Sequence, residues 1–366
     1  MIYYVLPKHS RFTMDEFFSF EESSFVNRFS VIDFEQLPAM RRFKPGTYVI
    51  AGIDQAEPAM KELISSLCDQ LDAAGGSRIL NLPRMTVGRF DLLKQLHAAG
   101  KSDVRVARVN EDLEALRYPV FVRSEREHGG NLSPLLANPA ETRDAVGGLL
   151  LHGHSPRDLM VVEFCSTADA HGVFRKYAAY NVGGRILGRS LNAGREWMLK
   201  LDSSEYTREL VMEDQRYVME NPHEQRLAEF FALANIDFGQ MDYSIRGGED
   251  GGGSIQPWEI NVSPTIGRGV KPGGGLGPRE LWPIRTETRE FFFDRFREAW
   301  IDLDSVPAGL PAVDVMFDPA VVEEAARGRA PEGLARRVAR GLLQPVKPFL
   351  RPVASKLLGH LAAHRR

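Results

Sequence analysis

Met241-Asp242-Tyr243-Ser244, followed by Pro257-Trp258-Glu259-Ile260-Asn261, decides how this 366-residue chain is read. Apolar and polar residues alternate here, which predicts strands over Phe238–Ile245 and Ile255–Asn261 joined by the Gly-rich loop Gly247–Gly253. Glu259 and Asn261 point the same way, because side chains two apart on a strand share a face. If the strands pair, Asp242 can join that face. Two carboxylates and an amide oxygen form a hard oxygen set, suited to Mg2+ or Mn2+ with phosphates and water completing the shell. The plain alternative is a solvated strand face, since acidic side chains usually lie in water.

Upstream, Tyr118-Pro-Val-Phe-Val-Arg123-Ser124 is an apolar strand ending in a cation. The loop Glu125–Asn131 follows, with Gly129-Gly130 offering backbone N–H groups that could cradle phosphate; most such pairs are only turns. Met160-Val-Val-Glu163-Phe164-Cys165 is a further strand with one carboxylate near its end. Phe174–Tyr180 and Arg185–Ser190 predict a hairpin turning at Asn181–Gly184, and it carries Arg175, Lys176 and Arg189. Helices are predicted over Met14–Glu21, Pro58–Leu71, Arg89–Ala99, Glu141–Leu151, Glu224–Ala234 and Glu287–Trp300 from their apolar spacing. Residues 1–81 alternate strand and helix, as in a small open α/β unit.

In order and spacing these pieces resemble the ATP-grasp superfamily, most nearly D-alanine–D-alanine ligase and the ribosomal-protein glutamate ligases, from about Ile79 to Phe293. The most specific part is Asp242…Glu259-Ile-Asn261, similar to the family's acid…acid-x-Asn metal motif. The resemblance implies an α+β fold of two lobes holding ATP between them, behind a small α/β domain that precedes the grasp. It implies that Asp242, Glu259 and Asn261 hold Mg2+ (or Mn2+) against the ATP phosphates. Arg123 and Arg89 stand where the family carries phosphate-contacting lysines. Glu163, Phe164 and Cys165 would meet the adenine and Asp169 the ribose. Arg175 and Arg189 match cations on the phosphates or the acyl phosphate, and Lys176 lies beside them. Arg keeps the charge of Lys and binds phosphate bidentately, but its reach and shape differ, which alters the geometry at the γ-phosphate. Arg268 and Lys271, just beyond the metal strand, are substrate-anion candidates or plain loop cations.

The expected organisation is a domain over 1–81, a grasp domain over 82–303 with nucleotide between 82–162 and 163–303, and a basic helical extension over 304–366. The implied reaction activates a small-molecule or peptide carboxylate as an acyl phosphate for attack by an amine or thiol. Two alternatives stay open: a phosphotransferase acting on a small molecule, and a nucleotide-binding scaffold without chemistry.

Composition bounds the rest. With 43% hydrophobic residues the chain can bury more than one core. A net charge of −3 does not favour nucleic acid. Two cysteines, Cys68 and Cys165, give neither a disulfide scaffold nor a metal spacing, and Cys165 reads as packing. The start lacks a basic segment and breaks at Pro7, unlike a signal peptide, and no apolar run reaches the roughly 18–20 residues of a membrane span. A cytoplasmic location follows as the expectation. His152-Gly-His154 fits a loop better than a metal pair, and a polar-loop His128 is ordinarily just solvated. From Ala330 onward, eight basic residues face the single acid Glu332, so that segment is net +7 against −10 for the rest. Its apolar stripe fits the inner membrane surface, an acidic partner, or the protein's own body. A homodimer is the commonest symmetric assembly.

Overall fold

The computed structural model describes residues 1–126, 130–200, 203–247, 253–267 and 277–327. Arg268, Lys271, His128, the centre of loop 247–253 and the basic segment from 330 to the end lie outside the described residues. The first unit contains β1 (Ile2–Leu6), α1 (Phe12–Ser19), α2 (Ser23–Val26), β2 (Phe29–Asp33), β3 (Arg42–Phe43), β4 (Thr47–Ile50), α3 (Pro58–Ala74) and β5 (Arg78–Leu80). Four of its strands form a parallel sheet in the order β2-β1-β4-β5. All five residues of β1 are buried, as a central parallel strand covered on both faces requires. Pro58 opens α3 where its missing N–H costs nothing, and Leu63, Ile64, Leu67 and Leu71 bury its apolar stripe.

A second group follows: α4 (Arg89–Ala98), β6 (Val106–Arg108), β7 (Val120–Ser124), α5 (Pro139–Leu151) and β8 (Leu159–Glu163). Its antiparallel sheet runs β6-β8-β7. The third group holds β9 (Phe174–Val182), β10 (Arg185–Gly194), α6 (Arg208–Glu220), α7 (Glu224–Ala234), β11 (Phe238–Arg246), β12 (Ser254–Asn261) and α8 (Trp282–Leu303). Its four-stranded antiparallel sheet is ordered β10-β9-β11-β12. Gly183 and Gly184 take positive φ in the tight turn between β9 and β10, a conformation that glycine adopts without steric cost.

Helix α8 joins the first and third groups. Its Phe293 stacks on Phe17 of α1 at 5.8 Å, Phe296 meets Tyr180 of β9 at 5.1 Å, and Trp300 meets Tyr4 of β1 at 6.0 Å. Each aromatic ring so removed from water contributes about 1.5–3 kcal/mol. Beyond α8 the chain returns to the first unit. β13 (Val313–Asp314) pairs with β3, α9 (Pro319–Arg327) packs on α3, and Val315 and Ala325 are buried in the same core. Among the described residues, no helix is long and apolar enough to cross a membrane.

Candidate active site

Strands β11 and β12 bring the acidic residues together. Asp242 lies directly opposite Glu259, and Gln240 directly opposite Asn261, so all four side chains share one sheet face. Like charges opposite each other destabilise a sheet unless cations intervene. Here they do. Lys176 of β9 donates to Asp242 Oδ2 at 3.1 Å, and Gln240 Nε2 donates to Oδ1 at 2.8 Å. Glu259 Oε2 takes two guanidinium groups, Arg123 Nη2 at 2.5 Å and Arg89 Nη2 at 2.7 Å.

Those two arginines come from different elements. Arg123 sits near the end of β7. Arg89 is the first residue of α4, and its Nη1 also donates to Ser124 O at 2.8 Å. Their side chains are only 9% and 4% exposed, against 18% for Glu259. Burial pulls Arg89 below its usual range, while Glu259 pushes it back up and Arg123 opposes.

A bulge re-aims the strand beside them. The register shifts after Asp242, so Tyr243 pairs with Pro257 and Trp258 becomes the extra residue. Proline is tolerated there because β12 is the sheet edge. As a result, consecutive Trp258 and Glu259 both line one cleft of about 510 Å3. This cleft opens between the β9–β12 sheet and β7. Phe121, Phe174, Trp197 and Trp258 supply aromatic walls; Arg123, Arg175, Lys176 and Lys200 supply cations; Asp242 and Glu259 supply the acids. Its size and its apolar walls with a few convergent charges are those of a small-molecule site.

The other residues singled out from sequence fall in different places. Arg175 lines the cleft and is held by Asp169 Oδ2 at 2.6 Å and Glu213 Oε1 at 2.8 Å. Asp169 spends its second oxygen on the backbone N–H groups of His171 and Val173, and Arg175 leads in holding its carboxyl down at about 2. It is a turn former that steers Arg175.

Glu163, which the family resemblance sets beside an adenine, is held here as an internal clamp. Its carboxylate is 2% exposed and accepts from the backbone N–H groups of Arg105 and Arg117 and from both their side chains. Burial pushes its carboxyl up, but these donors hold it below the usual range. Phe164 meets the cleft through its edge contact with Trp197 at 5.4 Å, and Cys165 is a packing residue whose thiol burial pushes up. Asn261 accepts from Ser263 N at 2.8 Å.

Arg189 is turned away from the acids. A register shift between Gly188 and Ser190 places its guanidinium 4.6 Å from the Phe292 ring, and it donates to Gly267 O at 2.9 Å. Arg123, Arg89, Lys176, Asp242 and Glu259 are therefore gathered at one point, and Arg189 and Glu163 are not. Gln240, Trp258, Trp197, Phe121 and Lys200 were not singled out from sequence. The i−2 relation of Gln240 to Asp242 could have marked it; the others depend on a bulge and on loop packing.

The donor set fits a hard divalent ion of the Mg2+ kind. It supplies two facing carboxylates with an amide oxygen in the next register pair. Among the described residues, no group of three or more His, Cys, Asp or Glu side chains could hold a metal by itself. Such an ion would draw the rest of its shell from phosphate oxygens and water, as Mg2+ does. The cations around the acids suit those same phosphates.

No protein-family model matches the sequence, and no curated protein matches it either. Among solved structures, the chain is similar to a D-alanine-D-alanine ligase from Coxiella burnetii at 12% identity and a TM-score of 0.43, covering 83% of this chain and 98% of that one. It is similar to the ATP-grasp ligase PsnB complexed with precursor peptide PsnA2 and AMPPNP at 13% and 0.43, covering 80% and 98%. It is also similar to the D-cycloserine synthetase DcsG at 14% and 0.41, covering 79% and 99%.

Proposed function

We propose that this chain is an ATP-grasp ligase that binds ATP with Mg2+ in the cleft and activates a substrate carboxylate. The observation that carries the reading is the facing pair Asp242 and Glu259, ringed by Arg89, Arg123 and Lys176 at the charged end of an aromatic-walled cleft. Trp197, Phe121 and Phe174 offer flat apolar surface to a base, and the cations offer charge to a polyphosphate. Asp242 and Glu259 would hold the metal, with Asn261 as third ligand. When bound there, the ion would supply charge neutralisation to the phosphates. Arg123, Arg175 and Lys176 bind and orient phosphate oxygens as charge moves on transfer. A substrate carboxylate oxygen bonds to the γ-phosphorus as its bond to the bridging oxygen breaks, giving ADP and an acyl phosphate. An amine or thiol then displaces phosphate.

No side chain need act as nucleophile, which agrees with the buried, raised thiol of Cys165. Arg268 and Lys271 are proposed contacts for the substrate anion. The test is a coupled assay with ATP, Mg2+ and a panel of amino acids, peptides and sugar acids, reading ADP and inorganic phosphate separately. Release of both in equal amounts, dependent on carboxylate and amine together, is the expected result. ADP without free phosphate identifies transfer to a hydroxyl, and release of neither from any pair removes the ligase reading.

A further inference from the structure

The two acids that would receive a divalent ion are already matched by cations of the chain itself. Asp242 has Lys176 on one oxygen and Gln240 on the other. Glu259 has Arg123 and Arg89 on the same oxygen, Oε2. Three positive side chains thus lie within 3.1 Å of two negative ones. The arginines are almost fully buried, whereas the Lys176 side chain is 30% exposed. A metal ion arriving alone must displace Lys176 and Arg123 and leave the buried Arg123 guanidinium without the carboxylate it holds, which a low-dielectric setting penalises heavily. A polyphosphate arriving with the ion removes that obstacle, because its oxygens accept from guanidinium and ammonium groups as well as a carboxylate does.

We infer that Lys176 and Arg123 are placeholder cations that hold the two carboxylates before nucleotide enters and pass to phosphate oxygens when it does. The divalent ion is consequently admitted only together with a polyphosphate. This inference rests on the nucleotide reading above and adds an order to it. It makes the two ligands strongly and reciprocally coupled, each raising the other's affinity by the same factor. It also makes Lys176 a residue whose removal has opposite effects on them. Without its charge, Asp242 is freer to take a metal ion alone, while a metal-free polyphosphate loses an anchor.

The experiment uses the full chain at constant ionic strength. It measures Mn2+ alone by electron paramagnetic resonance, and a non-hydrolysable ATP analogue by calorimetry with and without Mn2+. The probes are applied to wild type, Lys176→Met and Arg123→Met. Wild type is expected to take up Mn2+ alone only weakly. Lys176→Met is expected to bind Mn2+ alone about tenfold more tightly than wild type and the metal-free analogue about tenfold more weakly. A merely structural role for Lys176 lowers both affinities. Should Arg123→Met fail to fold, the more exposed Lys176 carries the test alone. If wild type binds the analogue with Mn2+ but Lys176→Met gains no affinity for Mn2+ alone, the placeholder role is overturned and the nucleotide reading stands. If wild type binds no analogue under any condition, both fall together.

Discussion

Glu259 holds two guanidinium groups on one oxygen, and this fixes what its replacement does. In Glu259→Gln, Arg89 and Arg123 remain buried and lose their shared anion. Breaking a buried pair costs more than the pair contributes, because the remaining charge is left uncompensated. Glu259→Gln should therefore lower stability without any ligand by about 3 kcal/mol, read from urea unfolding. Adding Arg123→Met should recover part of that loss, since one stranded charge is removed. A variant as stable as wild type would show that the arginines find other partners. The acids themselves were legible in the sequence, because i and i+2 spacing on a strand dictates a shared face. Glu163 was not, because its partners Arg105 and Arg117 lie 58 and 46 positions away and reach it only through the fold.

Elements position these residues through two departures from regular alternation, and both explain what sequence reading missed. The bulge in β12 turns Trp258 into the cleft beside Glu259, and the shift in β10 turns Arg189 toward Phe292. Strict period-two reading assigns each to the wrong face. Strands, the hairpin and most helices were legible because their apolar periodicity is strong. Helix α6 was not, since only Val211, Tyr217 and Val218 of its thirteen residues are buried.

Close packing at β11 gives a second prediction. A Cβ on Gly239 would stand 2.9 Å from Asn261 O. Gly239→Ala should push β12 outward, cost about 1–3 kcal/mol, and weaken metal-dependent nucleotide binding along with stability. Unfolding and calorimetry on one preparation check both; unchanged binding would detach Asn261 from the site.

Helix α6 also carries Asp214, which accepts from Leu191 N of β10 at 2.6 Å and whose carboxyl burial pushes up to about 6. A raised folded value means the associated stability is complete below the ordinary carboxyl range and is lost as pH rises through about 6. Asp214→Asn should match wild type near pH 4, overtake it as pH climbs to about 6, and keep a constant lead above. Thermal unfolding across that range reads the crossover, and a variant weaker than wild type at pH 7 would contradict it.

At the scale of the molecule, the cleft exists because one antiparallel sheet faces β7 of another, while α8 fixes the first unit against the larger sheet. The acids and Lys176 come from the larger sheet, and Arg123 and Phe121 come from β7. Nucleotide entering such a cleft bridges the two sheets, so binding should register as stabilisation of the whole fold. The most direct measurement is thermal stabilisation by ATP with and without Mg2+, in wild type and Asp242→Asn. Asp242 is the better acid to change, because its partner Lys176 is partly exposed and can return to water. A ligand of the native state alone stabilises by RT ln(1 + [L]/Kd), about 2.7 kcal/mol at a hundredfold excess. The expected result is a small shift with ATP alone, a large one with Mg2+, and loss of the Mg2+-dependent part in the variant. No shift with ATP in either condition, or equal Mg2+-dependent shifts in the two proteins, would contradict the assignment of this cleft to ATP and its metal.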